Sequence, residues 1–290
     1  MADMIVVIAA GEMGAGIGKR LSENGARVLT SLNGRSAASA ARAAAAGMKD
    51  AANEDELAQA DFILSIVPPG EALALAQRLK APLAKSANKP VYVDCNAVAP
   101  ATARRIATAL ADTGVRFVDA GIIGGPPAGD YSPSIYVSGP HAEEARRLSG
   151  YGLKVRPMKG DVGAASALKM SYAGITKGIT AIGAAMLLGA ARAGCIDELR
   201  QEMAESQPQI LQRFARQIPA MYPKAYRWVA EMEEIAEFLG EDPSARDMFY
   251  GIAALYERLA AGVEKTSATA EKDIAALSAF CAAAGSGKPG

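Results

Sequence analysis

The chain has one histidine and three cysteines. With only His141, a multi-histidine metal site is excluded, and a Ser-His-Asp or Cys-His mechanism has a single imidazole to draw on. His141 sits in Ser138-Gly139-Pro140-His141-Ala142-Glu143-Glu144, which reads as a turn entering a helix and makes it a solvated turn residue. Cys95, Cys195 and Cys281 stand far apart with no CxxC pair. That argues against a disulfide framework or a structural zinc site and suits a reducing compartment. Acid–base chemistry then falls to Lys, Tyr, Asp, Glu or Cys.

A charge excess is also missing. The 31 basic and 31 acidic side chains cancel, so the electrostatic footprint of a nucleic-acid binder is absent. Charged residues make up 21% and hydrophobic ones 50%, which excludes global disorder. No basic leader precedes the apolar run that starts at Met4. The longest weakly polar stretch, Gly178 to Ala191, is rich in Gly and Ala and ends at Arg192; it falls short of the roughly 20 apolar residues of a membrane span. No repeat of solenoid period is visible. The expectation is a cytoplasmic protein with no nucleic-acid, membrane or metal partner. Its 290 residues suggest two domains.

What is present changes period halfway. In the first half, short apolar runs alternate with helix-length segments. Strands are expected over Met4 to Ala9, Arg27 to Leu32, Phe62 to Val67, Pro90 to Val93, Arg116 to Asp119 and Ser134 to Val137. A helix from about Glu12 ends at Gly25, and Ser36 caps an alanine-rich helix reaching about Ala46. Strands separated by helices imply βαβ units and a mostly parallel sheet. From about Ala164 helical spacing dominates, over about 164–193, 196–205, 208–217, 224–239, 244–262 and 268–283. The fold class expected is α/β, a doubly wound parallel sheet followed by an all-α domain. The domains are expected over 1–160 and 161–284, with a disordered tail at 285–290.

The first strand runs into Ala9-Ala10-Gly11-Glu12-Met13-Gly14 and then a helix. This is the position of a dinucleotide fingerprint, in which glycines allow backbone to approach a pyrophosphate at a helix N-terminus. Ala9 replaces the first of the three glycines, while Gly11 and Gly14 fill the other two places. Gly16 and Gly18 lie inside the helix, where each costs ~1 kcal/mol relative to alanine; that cost implies close packing. The second strand ends in Leu32-Asn33-Gly34-Arg35-Ser36 with no acid to hold ribose hydroxyls. Arg35 can hold a 2′-phosphate bidentately, with Asn33 and Ser36 adding hydrogen bonds. The segment predicts NADP rather than NAD; its alternative reading is a solvated loop with a cap at Ser36.

The helix opening near Gly163 is apolar nearly all round and is expected to be buried. Ser166, Lys169, Tyr172, Thr176 and Thr180 nevertheless form one stripe on it, with Lys177 at its edge. A buried lysine must be paired or neutral, and burial beside a second cation moves an amine toward the range useful for proton transfer.

In order, Gly11-Glu12-Met13-Gly14, Asn33-Gly34-Arg35-Ser36, Val67-Pro68-Pro69, Asp94-Cys95-Asn96, Asp119-Ala120-Gly121-Ile122-Ile123-Gly124-Gly125 and Gly163-Ala164-Ala165-Ser166-Ala167-Leu168-Lys169 resemble the β-hydroxyacid and 6-phosphogluconate dehydrogenases. The chain is most similar to a 6-phosphogluconate-dehydrogenase-like branch with a short helical C-terminal domain. The resemblance implies a Rossmann-type cofactor domain, hydride exchange between a carbinol carbon and a nicotinamide, and Lys169 as the acid–base residue. It implies that Asn96 touches nicotinamide or substrate, and that Val67, Pro68 and Pro69 wall the cofactor. It places Ile122, Ile123, Gly124 and Gly125 beside the substrate, the two glycines offering N–H groups to a carboxylate. Tyr172, Thr176, Lys177 and Trp228, with Tyr226 beside it, complete the expected substrate set. Asp94 and Asp119 read as capping or turn residues. The family's second domain pairs with its twin, so a homodimer is expected, with Tyr222, Met232, Phe249 and Tyr250 in core or interface.

Some positions depart from the family. Ile123 stands where a serine is common, Ala173 where an asparagine is common, and Thr176 where sugar-phosphate decarboxylases carry a glutamate. These departures argue against decarboxylation of 6-phosphogluconate and for a larger, less polar pocket with no basic phosphate cluster beyond Lys177. The leading expectation is an NADP-dependent oxidoreductase acting on a 3-hydroxyacid or related hydroxy or oxo compound. An imine reductase and a catalytically silent NADP sensor are the alternatives; Lys169 counts against the first.

Overall fold

The computed structural model describes residues 2–285, and its contacts divide the chain after Ser171 into two compact units. In the first, β1 (Met4–Ile8) leads into α1 (Glu12–Glu23), β2 (Arg27–Thr30) into α2 (Ala37–Ala45), and a short β3 (Lys49–Asp50) into α3 (Glu54–Ala58). Then come β4 (Phe62–Ser65), α4 (Ala72–Lys85), β5 (Val91–Asp94), α5 (Pro100–Leu110), β6 (Arg116–Ile123), β7 (Ser134–Ser138) and β8 (Lys154–Pro157). The strand order is β3-β2-β1-β4-β5-β6-β7-β8. The first six strands are parallel, whereas β7 runs antiparallel to β6 and β8 parallel to β7. The order reverses between β1 and β4, which opens a crevice beyond the carboxyl ends of these strands.

The strands read as unbroken apolar runs because both faces of the sheet are covered. Ile5, Val7, Leu64 and Val93 pack with Ile17 and Leu21 of α1 on one face. Val6, Ile8, Ile63 and Tyr92 pack with Leu75 and Leu79 of α4 and Ile106 of α5 on the other. The glycines inside α1 serve close packing: a Cβ on Gly18 would lie 2.5 Å from Met48 Sδ, and one on Gly16 would lie 3.0 Å from Pro126.

Two strands escape sequence reading. β3 is two polar residues, and β8 alternates as Lys-Val-Arg-Pro at the sheet edge. The expected strands at Met4, Arg27 and Phe62 stop one or two residues early, where the chain leaves the ladder for its turns. β6 instead runs four residues past Asp119, because Ala120 to Ile123 pair with β7.

The helical unit follows α6 (Ala164–Ala193), α7 (Ile196–Ser206), α8 (Pro208–Met221), α9 (Ala225–Phe238), α10 (Pro243–Val263) and α11 (Ala268–Gly285). Met232 and Phe249 are core, whereas Tyr226 and Tyr250 are exposed. Gly285 closes α11; the rest of the expected tail lies outside the described residues. α6 is long and apolar enough to cross a membrane by length and composition, but half of its most apolar window is buried. The expectation that it is buried all round is corrected. Ile175, Ile179, Ile182 and Met186 are exposed, and their four-three-four spacing makes one apolar stripe.

The division after Ser171, rather than near 160, has a physical cause. Asp119 on β6 is fully buried. Its Oδ2 accepts from the backbone N–H of Gly163 at 2.9 Å and of Ser166 at 3.1 Å, and its Oδ1 accepts from Ser166 Oγ at 2.6 Å. Ser138 Oγ on β7 donates to the same carboxylate at 2.9 Å and accepts from Ala165 N–H at 3.0 Å. Two strands thus cap α6, satisfying amides that its own chain leaves open and setting a negative charge at its positive end. Gly121 lets the helix close in: a Cβ there would lie 2.8 Å from Ala165 O and 2.9 Å from Lys169 Cβ. The first turns of α6 therefore belong to the sheet unit.

Asp119→Ala leaves these buried donors unpaired and should cost about 3 kcal/mol of stability. Urea unfolding at pH 7 measures it, and a wild-type midpoint would contradict the capping role.

Candidate functional site

The turn after β1 has the features of an anion cradle. Gly11 is the N-cap of α1 with extended backbone and no side-chain hydrogen bond to the helix, and a Cβ added there would meet nothing within 4 Å. A Cβ on Gly14 would strike the Ala9 carbonyl oxygen, so this position needs glycine. Ala10 is buried, Met13 packs into the core, and Glu12 opens the helix. An open N-terminus beside backbone that can be approached closely suits a pyrophosphate, so the residues present fit a dinucleotide.

Arg35, Ser36 and Asn33 follow β2. Ser36 Oγ caps α2, accepting from Ser39 N–H at 3.2 Å, so the capping reading of this residue holds in the structure. Arg35 reaches Glu71 at 3.6 Å, linking the loops that follow β2 and β4 on either side of the Gly11 turn. Sequence reading missed Arg42. Its Nε donates to Ala10 O at 3.0 Å and its terminal nitrogen to Ser39 Oγ at 3.0 Å, tying α2 to the cradle. The available signal was its isolation, as the one charge in an alanine-rich helix.

A cleft of about 730 Å³ adjoins Asn33. Asp50, Glu54 and Asp55 line it, and its Arg78 is held by Glu54 at 2.7 Å. Those carboxylates repel phosphate.

Val67, Pro68 and Pro69 follow β4, with Val67 buried and Pro69 opening a short helical turn. Asn96, at the end of β5, is 2% exposed. Its Oδ1 accepts from Val67 N–H at 2.7 Å, while its amide donates to Ser65 Oγ at 2.8 Å and to Asp94. Both amide hydrogens are spent inside the protein. The side chain holds the start of the Val67 loop. Next to it, burial and the nearby Asp94 and Asp119 push the Cys95 thiol well above the usual range, which favours its protonated form. His141 closes on Glu144 at 3.0 Å, as a turn histidine does.

Ile122 and Ile123 end β6, followed by Gly124 with φ +130 and Gly125. The Gly125 N–H meets the Tyr131 hydroxyl at 3.2 Å, and that hydroxyl fills the space a Cβ on Gly124 would take. The Tyr131 hydroxyl comes from the loop between β6 and β7. Lys169 is half-buried on α6, one turn past Ser166, with its Cβ against Gly121.

In the helical unit, Tyr172, Thr176, Lys177 and Trp228 line one pocket of about 340 Å³ together with Arg213 and Arg216 of α8. Lys177 pairs with Glu231 and lies 4.8 Å over the Trp228 ring. Tyr256 donates to Lys177 O at 2.7 Å and meets Trp228 edge-on at 5.2 Å. Burial, then Glu231, raises the Tyr256 pKa, so its phenol stays protonated. The expectation of no basic cluster beyond Lys177 is corrected by Arg213 and Arg216, which α8 brings to the same lining. Their three-residue spacing was visible in the sequence; their destination was not. Tyr226 lies outside this lining.

Residues 4–149 match the family described as the NAD binding domain of 6-phosphogluconate dehydrogenase, and residues 190–259 match a domain of unknown function, DUF1932. An uncharacterized 28.5 kDa protein of Methanothermus fervidus is 30% identical over 154 residues, 53% of this chain and 57% of that protein. The 3-hydroxyisobutyrate dehydrogenase of Pseudomonas aeruginosa is 39% identical over 93 residues, 30% of each chain. The chain therefore spans less than two thirds of these curated relatives. Among solved structures, the conserved protein MTH1747, described as structurally similar to 3-hydroxyacid dehydrogenases, superposes with TM-score 0.67 at 28% identity over 93% of this chain and 99% of that one.

Proposed function

The chain belongs to the family of the NAD binding domain of 6-phosphogluconate dehydrogenase and so binds NAD(P); on that premise we propose an NADP-dependent oxidoreductase that interconverts a 3-hydroxyacid, or a related hydroxy compound, and its oxo form. The observation that carries the reading is the packing of Lys169 against Gly121 near the carboxyl end of β6, at the sheet edge that also holds Gly11, Arg35 and Pro68. Ligands bind at that edge in doubly wound sheets.

The cofactor, when bound, supplies a nicotinamide that takes or gives a hydride. The remaining work falls to this chain. Gly11, Glu12, Met13 and Gly14 hold pyrophosphate at the α1 N-terminus. Arg35 turns from Glu71 to the 2′-phosphate, at small cost because a solvent-accessible pair at 3.6 Å, with Arg35 half-buried, contributes about 1 kcal/mol. Asn33 and Ser36 flank it. Val67, Pro68 and Pro69 exclude water, with Asn96 fixing their loop. Lys169 Nζ takes the hydroxyl proton in oxidation and returns it in reduction. Ile122, Ile123, Gly124 and Gly125, and in the helical unit Tyr172, Thr176, Lys177 and Trp228, bind substrate. Lys169 favours alcohol chemistry over imine reduction and over a silent sensor.

We also read the protein as a cytoplasmic homodimer. The Ile175, Ile179, Ile182 and Met186 stripe has the spacing of a helix-pairing seam.

Arg35→Ala should weaken NADPH binding about tenfold, the loss of a charged bidentate contact, and leave NADH binding nearly unchanged; equal losses remove the phosphate role. Following NADPH formation across a panel of 3-hydroxyacids should find one that turns over, and Lys169→Ala should cut that turnover about 100-fold or more with NADPH affinity intact. Silence across the panel, or unchanged turnover in the variant, overturns the reaction. Light scattering should give the mass of a dimer that Ile182→Glu separates; a wild-type monomer contradicts the seam.

A further inference from the structure

We propose that the helical unit carries a binding site for a doubly charged oxyanion group, a phosphoryl group or its equivalent, held by Arg213 and Arg216. This deepens the reading above, because Tyr172, Thr176, Lys177 and Trp228 share the pocket, but its test needs no turnover.

The charge balance of the pocket carries the inference. Three cations line it. The charge of Lys177 is cancelled by Glu231. Among the described residues neither Arg213 nor Arg216 has a carboxylate partner, so two positive charges remain. The two arginines are three residues apart on α8 and therefore share one helix face. A single carboxylate would balance one of them; a dianion balances both.

The hydrogen-bond count agrees. One terminal nitrogen of Arg213 donates to the Thr176 carbonyl at 3.3 Å, which fixes the guanidinium against α6. Its Nε is buried and meets no acceptor. A buried donor without a partner costs about 1–3 kcal/mol, so the protein alone leaves this guanidinium short of an acceptor, and an oxyanion drawn into the fork would complete its set. Thr176 and Thr180 do not compete for it, since their hydroxyls donate to the carbonyls of Tyr172 and Thr176 at 2.8 Å and 3.2 Å. Arginine forks match the geometry of phosphoryl oxygens. At about 340 Å³ the pocket has room for such a group and a few attached carbons.

Trp228 is the chain's one tryptophan and stands in this lining, so its emission reports on the pocket alone. The probes are inorganic phosphate and glycerol 2-phosphate, titrated at constant ionic strength against sodium chloride. A saturable change in emission is expected, with a dissociation constant below about 10 mM. Tighter binding of glycerol 2-phosphate identifies a group carried on a larger ligand; equal binding identifies the free ion.

Arg216 is exposed, so Arg216→Gln should fold, and it should weaken both probes about tenfold or more, the equivalent of one charge-assisted hydrogen bond. Arg213→Lys, which keeps the charge and loses the fork, should weaken them as well. NADPH binding to each variant, read separately, checks folding and isolates this test from the oxidoreductase reading. No saturable change up to about 50 mM of either probe, a change that chloride reproduces, or wild-type affinity in both variants would overturn the site.

Discussion

A buried carboxylate decides where α6 begins. Asp119 lies in the middle of β6, out of water, and its two oxygens take up the donors that a helix start would leave open. Ser138 on the antiparallel β7 completes the cap. Each party needs the other. The carboxylate is tolerable in the sheet because four donors and the positive end of a helix surround it, and the helix docks there because its amides have no alternative partner. Gly121, two residues on, removes the side chain that would keep the two elements apart. The position of Lys169 follows from these three residues, not from anything about the lysine itself.

The rest of the sheet unit repeats this division of labour, in which polar side chains hold backbone and leave open the places a ligand would use. Asn96 spends its amide on the Val67 loop, and Arg42 ties α2 to Ala10. Ser36 caps α2 rather than reaching outward. The N-terminus of α1 is the exception, since Gly11 offers it no side chain. A chain with formal net charge of zero can in this way present local positive ends and guanidinium groups, while acidic residues line the cleft beside Asn33.

Much of this was legible in the sequence. The β-branched run at Met4 ending in Gly11 placed β1 and the cradle, because a buried parallel strand and a glycine turn leave local marks. The six helices of the second half were legible from their spacing to within a few residues. What escaped depends on contact across the chain. β3 and β8 are too short and polar to carry a period. Tyr131 reaches Gly125 through the path of the loop between β6 and β7, which spacing does not fix. Arg213 and Arg216 joined Lys177 only once α8 packed on α6. For α6, the apolar content was read correctly and its burial was not: Ile175, Ile179, Ile182 and Met186 are as apolar as the core, and periodicity does not distinguish a face covered by the same chain from one left open.

The dependence of α6 on Asp119 can be read without knowing the substrate. Amide hydrogen exchange followed residue by residue compares the Gly163, Ala165 and Ser166 N–H groups with those of Val118 and Ala120 in the sheet. If the carboxylate and Ser138 hold the helix start as described, these three amides exchange as slowly as the strand, since they open only when the sheet unit unfolds. Exchange at the fast rate of a fraying helix end would mean that α6 is not anchored to β6, and that the position of Lys169 has some other cause.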